Sequence, residues 1–315
     1  MALLLVGVAV VVRLVVGMDD EPIVRVYRLA GPALVLVAAP HLLAVLAITL
    51  SWWSVIPRDR RARVRFSRLT GAWLAGDAQN YLLPSATLGG ELTKVRLMRR
   101  TLAASQGAAS VTLARVTDLF GLVAFGTLGT CCAAALPIAV SDGILFGGLV
   151  GMTAVTVVVA VVVSRGFFGG AVGLIRRLGP RRAGGFSLVA DRIDADVKGF
   201  LRDDRRGLVH STAWRTGAWL ANVLELWIVF GLLGLRGSLA ELMAMEGLIA
   251  LWNGAIFFVP ARAGITEGGW LLVAGLFGIA SGDALAIALL RRLRDTVWAV
   301  IGLLALGVLS ADKEG

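Results

Sequence analysis

The amino-acid sequence predicts an all-α fold, a polytopic bundle of helices that crosses a membrane several times. Hydrophobic residues make up 57% of the 315 residues and charged residues only 17%. The mean hydropathy is +0.82. Soluble domains average roughly 45–50% apolar and about 25% charged residues. The composition therefore excludes an ordinary soluble domain and favours a single transmembrane domain over residues 1–315.

Several apolar runs have the length of a membrane span. Residues 31–56, 143–164 and 208–235 each supply the ~20 residues that a helix needs to cross ~30 Å of hydrocarbon. A further span is predicted near 108–138. The N-terminal 22 residues lack a basic start and a small-residue cleavage site, so we expect a first span there rather than a cleaved signal.

The basic residues are confined to short segments between the spans. The net charge is +10, and the basic side chains are concentrated in residues 58–68, 94–100 and 165–206. Short basic loops beside spans are typical of the cytoplasmic face of a membrane protein. We therefore predict cytoplasmic loops and no nucleic-acid partner.

The stretch LPSATLGGE, Leu83–Glu91, interrupts an apolar region with a proline and two glycines. Both flanks of residues 69–91 are basic, so this segment is predicted to enter and leave on the cytoplasmic side as a re-entrant hairpin. Broken backbone at membrane depth is tolerated where it lines a cavity. An ordinary surface loop between two amphipathic helices is the alternative. The residues of the predicted loop are Asn80, Pro84, Gly89 and Gly90.

A second amphipathic pattern lies in the basic segment. Residues 185–201, GFSLVADRIDADVKGFL, place apolar side chains at helical spacing with charges between them. This pattern predicts a helix, either lying on the membrane surface or serving as a solvated connector.

Four residue types recur in the same order with nearly the same spacing. They are Pro84, Glu91, Arg115 and Asp118 in the first copy and Pro260, Glu267, Arg292 and Asp295 in the second. Proline precedes glutamate by seven residues in both copies, and arginine precedes aspartate by three. The spacing predicts two repeat halves, 31–164 and 208–309, joined by the basic segment 165–207. Because three predicted spans separate the copies, we expect an inverted repeat with a second re-entrant loop at Pro260 and Gly264.

The charged members of the repeat are embedded in apolar helical runs. A charged side chain there costs about 2.5–3.5 kcal/mol even on lenient insertion scales, so it needs a partner or water. We predict that they form one polar, substrate-binding cavity, made of Glu91, Arg115, Asp118, Glu267, Arg292 and Asp295. The alternative is that each arginine forms an ion pair with the aspartate three residues later and has only a structural role. Arg291 and Arg294 add positive charge beside Asp295, which favours an anionic ligand. Glu225 is a further buried candidate.

No constellation for soluble catalysis accompanies these residues. The sequence has no Walker A motif, no nucleophile motif and no metal-binding pattern around its two histidines. We therefore predict no catalytic residues, no metal site, no cofactor and no ATP-driven pumping.

The motifs NYLLPSATLGGE, RVTD and VPARAGITEGG together resemble the flippase-like transmembrane family of the lysylphosphatidylglycerol synthase membrane region. The tail with EGGW and RRLRD is most similar to the branch associated with hopanoid biosynthesis. The resemblance implies a bacterial cytoplasmic (inner) membrane protein that moves an amphipathic lipid, a hopanoid or an anionic phospholipid, between leaflets. It also implies lipid-biosynthesis enzymes as partners. No aminoacyl-transferase domain follows the membrane region here, so lysyl transfer is not expected.

Two other functions remain open at this point. The chain could be a membrane enzyme of lipid biosynthesis that uses a carboxylate such as Glu267 as general base, or a scaffold for such enzymes. Leaflet exchange of an unchanged lipid would indicate transport. A new lipid product would indicate an enzyme, and neither result would indicate a scaffold.

The charge distribution makes a topology prediction. The loops that hold Arg60, Arg99 and Arg181 are expected in the cytoplasm and the one near Asp142 outside, because basic loops are retained inside. In a background without Cys131 and Cys132, the Asp142→Cys variant should react with an impermeant thiol reagent in intact cells. Reaction only after permeabilisation would contradict both this topology and the inverted repeat.

Overall fold

The computed structural model describes the chain over residues 32–82, 88–138, 140–178, 186–255 and 264–311. These residues form helices and no strand, which confirms the predicted all-α fold. The helices are α1 Pro32–Ser54, α2 Arg58–Arg61, α3 Phe66–Leu82, α4 Leu88–Leu97, α5 Ala104–Ala134, α6 Asp142–Leu178, α7 Phe186–Asp203, α8 Arg205–Leu233, α9 Leu239–Ala255, α10 Ile265–Leu276 and α11 Ser281–Ala311.

Five of the described helices are long and apolar enough to span a membrane: α1, α5, α6, α8 and α11. Three of them, α1, α5 and α8, match predicted spans to within a few residues at most ends. No span was predicted with bounds over α11. Helix α6 begins where predicted but runs well past residue 164. It breaks at Gly166, where φ is +111°, a conformation that glycine adopts without steric cost. The span predicted in the first 22 residues lies outside the described residues.

The helices pack in three long pairs. Helix α1 lies along α8, α3 lies along α11, and α5 lies along α9. One core cluster joins α5, α8, α9 and α11 around Phe125, Leu226 and Met245. A second joins α1, α3, α5 and α7 around Trp52, Leu69 and Val197. Apolar side chains on α6 face outward, as Ile144, Val150 and others do, and such a face suits lipid.

Glycines bring the helix pairs into direct backbone contact. A Cβ on Gly129 of α5 would lie 2.5 Å from the Cα of Gly247 on α9. A Cβ on Gly302 of α11 would likewise collide with the Leu74 carbonyl of α3. Small residues at such crossings allow close helix packing in membranes.

The broken segments each form two helices that pack on each other, α3 with α4 and α9 with α10. In the first, the Asn80 side chain accepts a hydrogen bond from the Gly90 amide at 2.9 Å and donates one to Glu91 Oε1 at 3.3 Å. In the second, Gly264 precedes α10 with φ +80°. Pro84 and Pro260 lie outside the described residues, and re-entry into the membrane stays a prediction.

The predicted amphipathic helix forms as α7, and protein covers much of its apolar face. Ala190, Ile193, Val197 and Phe200 are buried, and α7 packs on α5 and α6. Leu188 and Val189 of the same helix remain 67% and 48% exposed, so a position at the membrane surface stays a prediction. The Asp194 carboxylate also accepts hydrogen bonds from the amides of Phe168 and Gly169, which caps the second part of α6.

The packing follows the predicted repeat. Helices α1, α3, α4 and α5 correspond in order to α8, α9, α10 and α11. The contact of α3 with α11 then has its counterpart in the contact of α9 with α5. Three candidate spans, α5, α6 and α8, separate the two broken segments. The inverted duplication itself stays a prediction.

The Gly129 crossing makes a stability prediction. Gly129→Ala should lower the free energy of unfolding by about 1–3 kcal/mol, because the added methyl group forces two backbones apart. Gly147→Ala on α6 is the matched control, since nothing lies within 4 Å of its Cβ position. Thermal unfolding of both variants in detergent measures the difference. Equal melting temperatures would show that the crossing can relax.

Candidate functional site

The first charged cluster is built around the Glu91 carboxylate, in the first turn of α4. Its Oε1 accepts hydrogen bonds from Lys94 Nζ at 3.0 Å and from Arg115 Nε at 3.0 Å, with a second bond from Arg115 Nη2. The position suits a carboxylate, because the N-terminal turn of a helix favours negative charge. Glu91 thus ties the broken segment to α5.

Asp118 extends this cluster to α8. It pairs with Arg115 at 3.4 Å one turn away and accepts a hydrogen bond from Arg215 of α8. The contact requires a close approach of α5 and α8, which Gly121 permits: a Cβ there would lie 2.6 Å from the Cβ of Arg215. Arg115 and Asp118 are thus in contact, as the packing alternative expects, although Asp118 also pairs with Arg215 and Arg115 with Glu91.

A cavity of about 80 Å³ opens onto this cluster. Its polar lining comes from three carboxylates, Asp77, Glu91 and Asp118, and three cations, Lys94, Arg115 and Arg215. The acidic and basic groups therefore balance. The Arg115 side chain remains 43% exposed, and Asp77 is exposed at the cavity wall. Within the described residues Asp77 forms no ion pair, so its carboxylate is available to a ligand.

Glu267 holds the second broken segment in the same way as Glu91 holds the first. Its Oε1 pairs with Arg292 Nη2 of α11 at 2.8 Å. Its Oε2 accepts a hydrogen bond from the Gly264 amide at 2.7 Å and so caps α10. Both repeat copies thus join their glutamate to the arginine that follows it on the next long helix.

A buried ionic network surrounds this second cluster. Glu225 of α8 accepts hydrogen bonds from Arg291 at 3.1 Å and from Arg294. Arg291 also pairs with Glu246 of α9 at 2.5 Å. Glu225 and Glu246 are 0% and 1% exposed.

Two sequence-based expectations about α11 are wrong. Arg291 and Arg294 carry no surplus charge for an anionic ligand, because Glu225, Glu246 and Asp295 neutralise them. Asp295 pairs with Arg294 at 2.8 Å rather than with Arg292. The partners come from α8 and α9, which the spacing along α11 could not reveal.

The six predicted site residues fall into two adjoining clusters. Glu91, Arg115 and Asp118 line the cavity, whereas Glu267, Arg292 and Asp295 are not among its lining residues. Helix α3 lies between the clusters, since its Asp77 lines the cavity and the helix packs along α11. Tyr81 also contacts α11, with its hydroxyl 3.3 Å from the Thr296 hydroxyl.

Five further residues of the clusters were missed by the sequence analysis: His41, Asp77, Lys94, Arg215 and Glu246. A single charge inside an apolar run was the available signal for Arg215 in TAWRTGAW and for Glu246 in LMAMEGLIAL. Nothing in the local sequence distinguishes Lys94 from the basic residues of the adjacent loop.

Comparison with known proteins gives one family. The family model described as the lysylphosphatidylglycerol synthase TM region matches residues 1–303. No curated protein and no solved structure matches the chain.

The network around Glu225 makes a stability prediction. Glu225→Gln should lower the free energy of unfolding by about 1.5–3 kcal/mol, because Arg291 and Arg294 each lose one of two carboxylate partners. Asp203→Asn is the control, since Asp203 and Arg202 are exposed and 3.7 Å apart and such pairs contribute about 0–1 kcal/mol. The melting temperatures of the two variants in detergent, compared with that of the parent protein, measure these changes in stability. An unchanged value for Glu225→Gln would mean that the arginines find other partners.

Proposed function

We propose that this chain, which belongs to the lysylphosphatidylglycerol synthase transmembrane-region family, moves an amphipathic lipid between the leaflets of the bacterial cytoplasmic membrane without ATP hydrolysis. It is a multi-pass membrane protein, and its family belongs to lipid metabolism or transport. A hopanoid or an anionic phospholipid is the proposed substrate.

The observation that carries this proposal is the charge-lined cavity inside an apolar helical bundle. Charged groups inside a membrane domain are costly and face substrate pathways or one another. Here Arg115 and Asp77 remain accessible from the cavity, although the other charges around them are paired.

The cavity chemistry suits a polar headgroup. A phosphate would accept charge-assisted hydrogen bonds from the Arg115 guanidinium. A neutral polyol, as in a hopanoid headgroup, would instead donate its hydroxyls to Asp77. The lipid tail would stay in the surrounding hydrocarbon.

The size of the cavity implies that it must widen during transport. About 80 Å³ is well below the roughly 300–1,000 Å³ of sites that enclose drug-sized ligands. Asp77, Glu91 and Lys94 all stand on the α3–α4 hairpin, so movement of this hairpin would enlarge the site.

The enzyme alternative has less support. A general base needs a free carboxylate within reach of its substrate. Glu267 is 4% exposed, and both of its oxygens are engaged, by Arg292 and by the Gly264 amide.

Reconstitution tests these functions directly. Purified protein in liposomes that contain fluorescent phosphatidylglycerol, or a labelled hopanoid, should accelerate leaflet exchange and leave the lipid chemically unchanged. A new lipid product would favour the enzyme, and neither exchange nor product would favour a scaffold.

Asp77→Asn should lower the rate of leaflet exchange at least about tenfold, equivalent to ~1.4 kcal/mol in the barrier, because it removes the accessible negative charge. Its melting temperature should stay close to that of the parent, since no ion pair is broken. Asp142→Asn, an exposed carboxylate at the start of α6 that does not line the cavity, is the control with normal exchange. An Asp77→Asn variant with normal exchange would remove this residue from the site.

A further inference from the structure

A second, larger opening lies beside the first basic loop and helix α7. It is a groove of about 420 Å³ between the end of α1, the start of α5 and α7. Its charged lining is mostly acidic, with one arginine, Arg58, and four aspartates: Asp59, Asp196, Asp203 and Asp204. Arg58 and α7 both belong to segments that the charge distribution predicts to be cytoplasmic.

The acidic lining of the groove suits the hydroxyl groups of a polyol headgroup, which donate hydrogen bonds to carboxylates, rather than a phosphate or a tail. The Arg58 side chain is 61% exposed while it pairs with Asp204 at 2.8 Å. Asp196 Oδ2 is buried and has no hydrogen-bond partner among the described residues. A polar opening of this kind can hold water and hydroxyl or charged groups.

A hydrogen bond joins a residue that lines the cavity to a residue that lines the groove. Trp52 of α1 lines the cavity and Ser110 of α5 lines the groove. The Trp52 Nε1–H donates to the Ser110 hydroxyl at 3.1 Å. Both residues are fully buried, at 2% and 1% exposed.

The helices on either side of this bond contribute to both openings. On α5, Val111 and Ala114 face the cavity, whereas Ala109 and Leu113 face the groove. Ser51 of α1 faces the cavity, and Val55, just after the end of α1, faces the groove. The indole of Trp52 therefore stands in the partition between two polar spaces.

We propose that the groove is the vestibule through which a polar lipid headgroup reaches the cavity, and that the Trp52–Ser110 contact is its inner gate. The proposal rests on the proposed function. Breaking the hydrogen bond lets the indole leave the partition and joins the two spaces. The headgroup then passes from the groove to Arg115 and Asp77 while its tail stays in lipid.

The test measures access to the cavity from the groove side. Ala114→Cys is placed in a background of Cys131→Ser and Cys132→Ser, in sealed vesicles with the Arg58 face outward. The rate of modification by an impermeant methanethiosulfonate reagent is then compared in the parent, Trp52→Phe and Ser110→Ala.

Both gate variants should raise the modification rate roughly three- to tenfold, the range set by the loss of one net hydrogen bond. Thr112→Ala is the matched control, because its hydroxyl bonds only to the Ala108 carbonyl of its own helix. Ala195→Cys, exposed at the groove wall, should react at one rate in every background. Ser110→Ala removes one hydroxyl and keeps the protein testable where Trp52→Phe fails to fold.

Unchanged modification of Ala114→Cys in a folded Ser110→Ala variant would overturn the gate. The readout requires no transport, so the two proposals fail separately. If the gate variants are modified faster but the parent protein exchanges no lipid, the gate is supported and the proposed function is contradicted. If the parent protein exchanges lipid but the gate variants are modified at the parent rate, the proposed function is supported and the gate is contradicted.

Discussion

A charged side chain inside an apolar bundle is stable only beside an opposite charge or water, and this constraint explains how the helices of this protein are joined. Glu91 ties α4 to α5, Asp118 ties α5 to α8, and Glu225 ties α8 to α11. Removing Asp118 would leave Arg215 without a carboxylate partner among the described residues, whereas Arg291 and Arg294 would keep Glu246 and Asp295. The ionic pairs therefore specify which helices are neighbours, while the apolar clusters fill the space between them.

The two halves satisfy this constraint differently. In the first half, the charges surround a cavity, and Arg115 and Asp77 keep access to it. In the second, Glu225 and Glu246 are sealed among arginines, and Trp270 covers Arg291 with its ring centroid 4.8 Å from the guanidinium. One charged cluster therefore borders a cavity, and the other is closed by protein.

Apolar run length was enough to predict the long helices α1, α5 and α8 and the start of α6, because a span requires about 20 apolar residues whatever its neighbours. The repeated spacing also predicted that Glu91 and Glu267 lie near Arg115 and Arg292. It could not predict that Glu225 and Glu246 neutralise Arg291, since those partners come from other helices. The burial of the apolar face of α7 was equally hidden, because an amphipathic pattern does not identify the surface that covers it.

The glycine contact between α5 and α9 has a mechanical consequence. Gly129 and Gly247 meet backbone to backbone, so the helices cannot slide closer, but α5 can tilt about this point as about a fulcrum. Ser110 lies 19 residues away on the same helix, a lever arm of roughly 28 Å at 1.5 Å per residue. A tilt of about 5° at the fulcrum would displace Ser110 by about 2.5 Å on this lever, enough to lose a hydrogen bond.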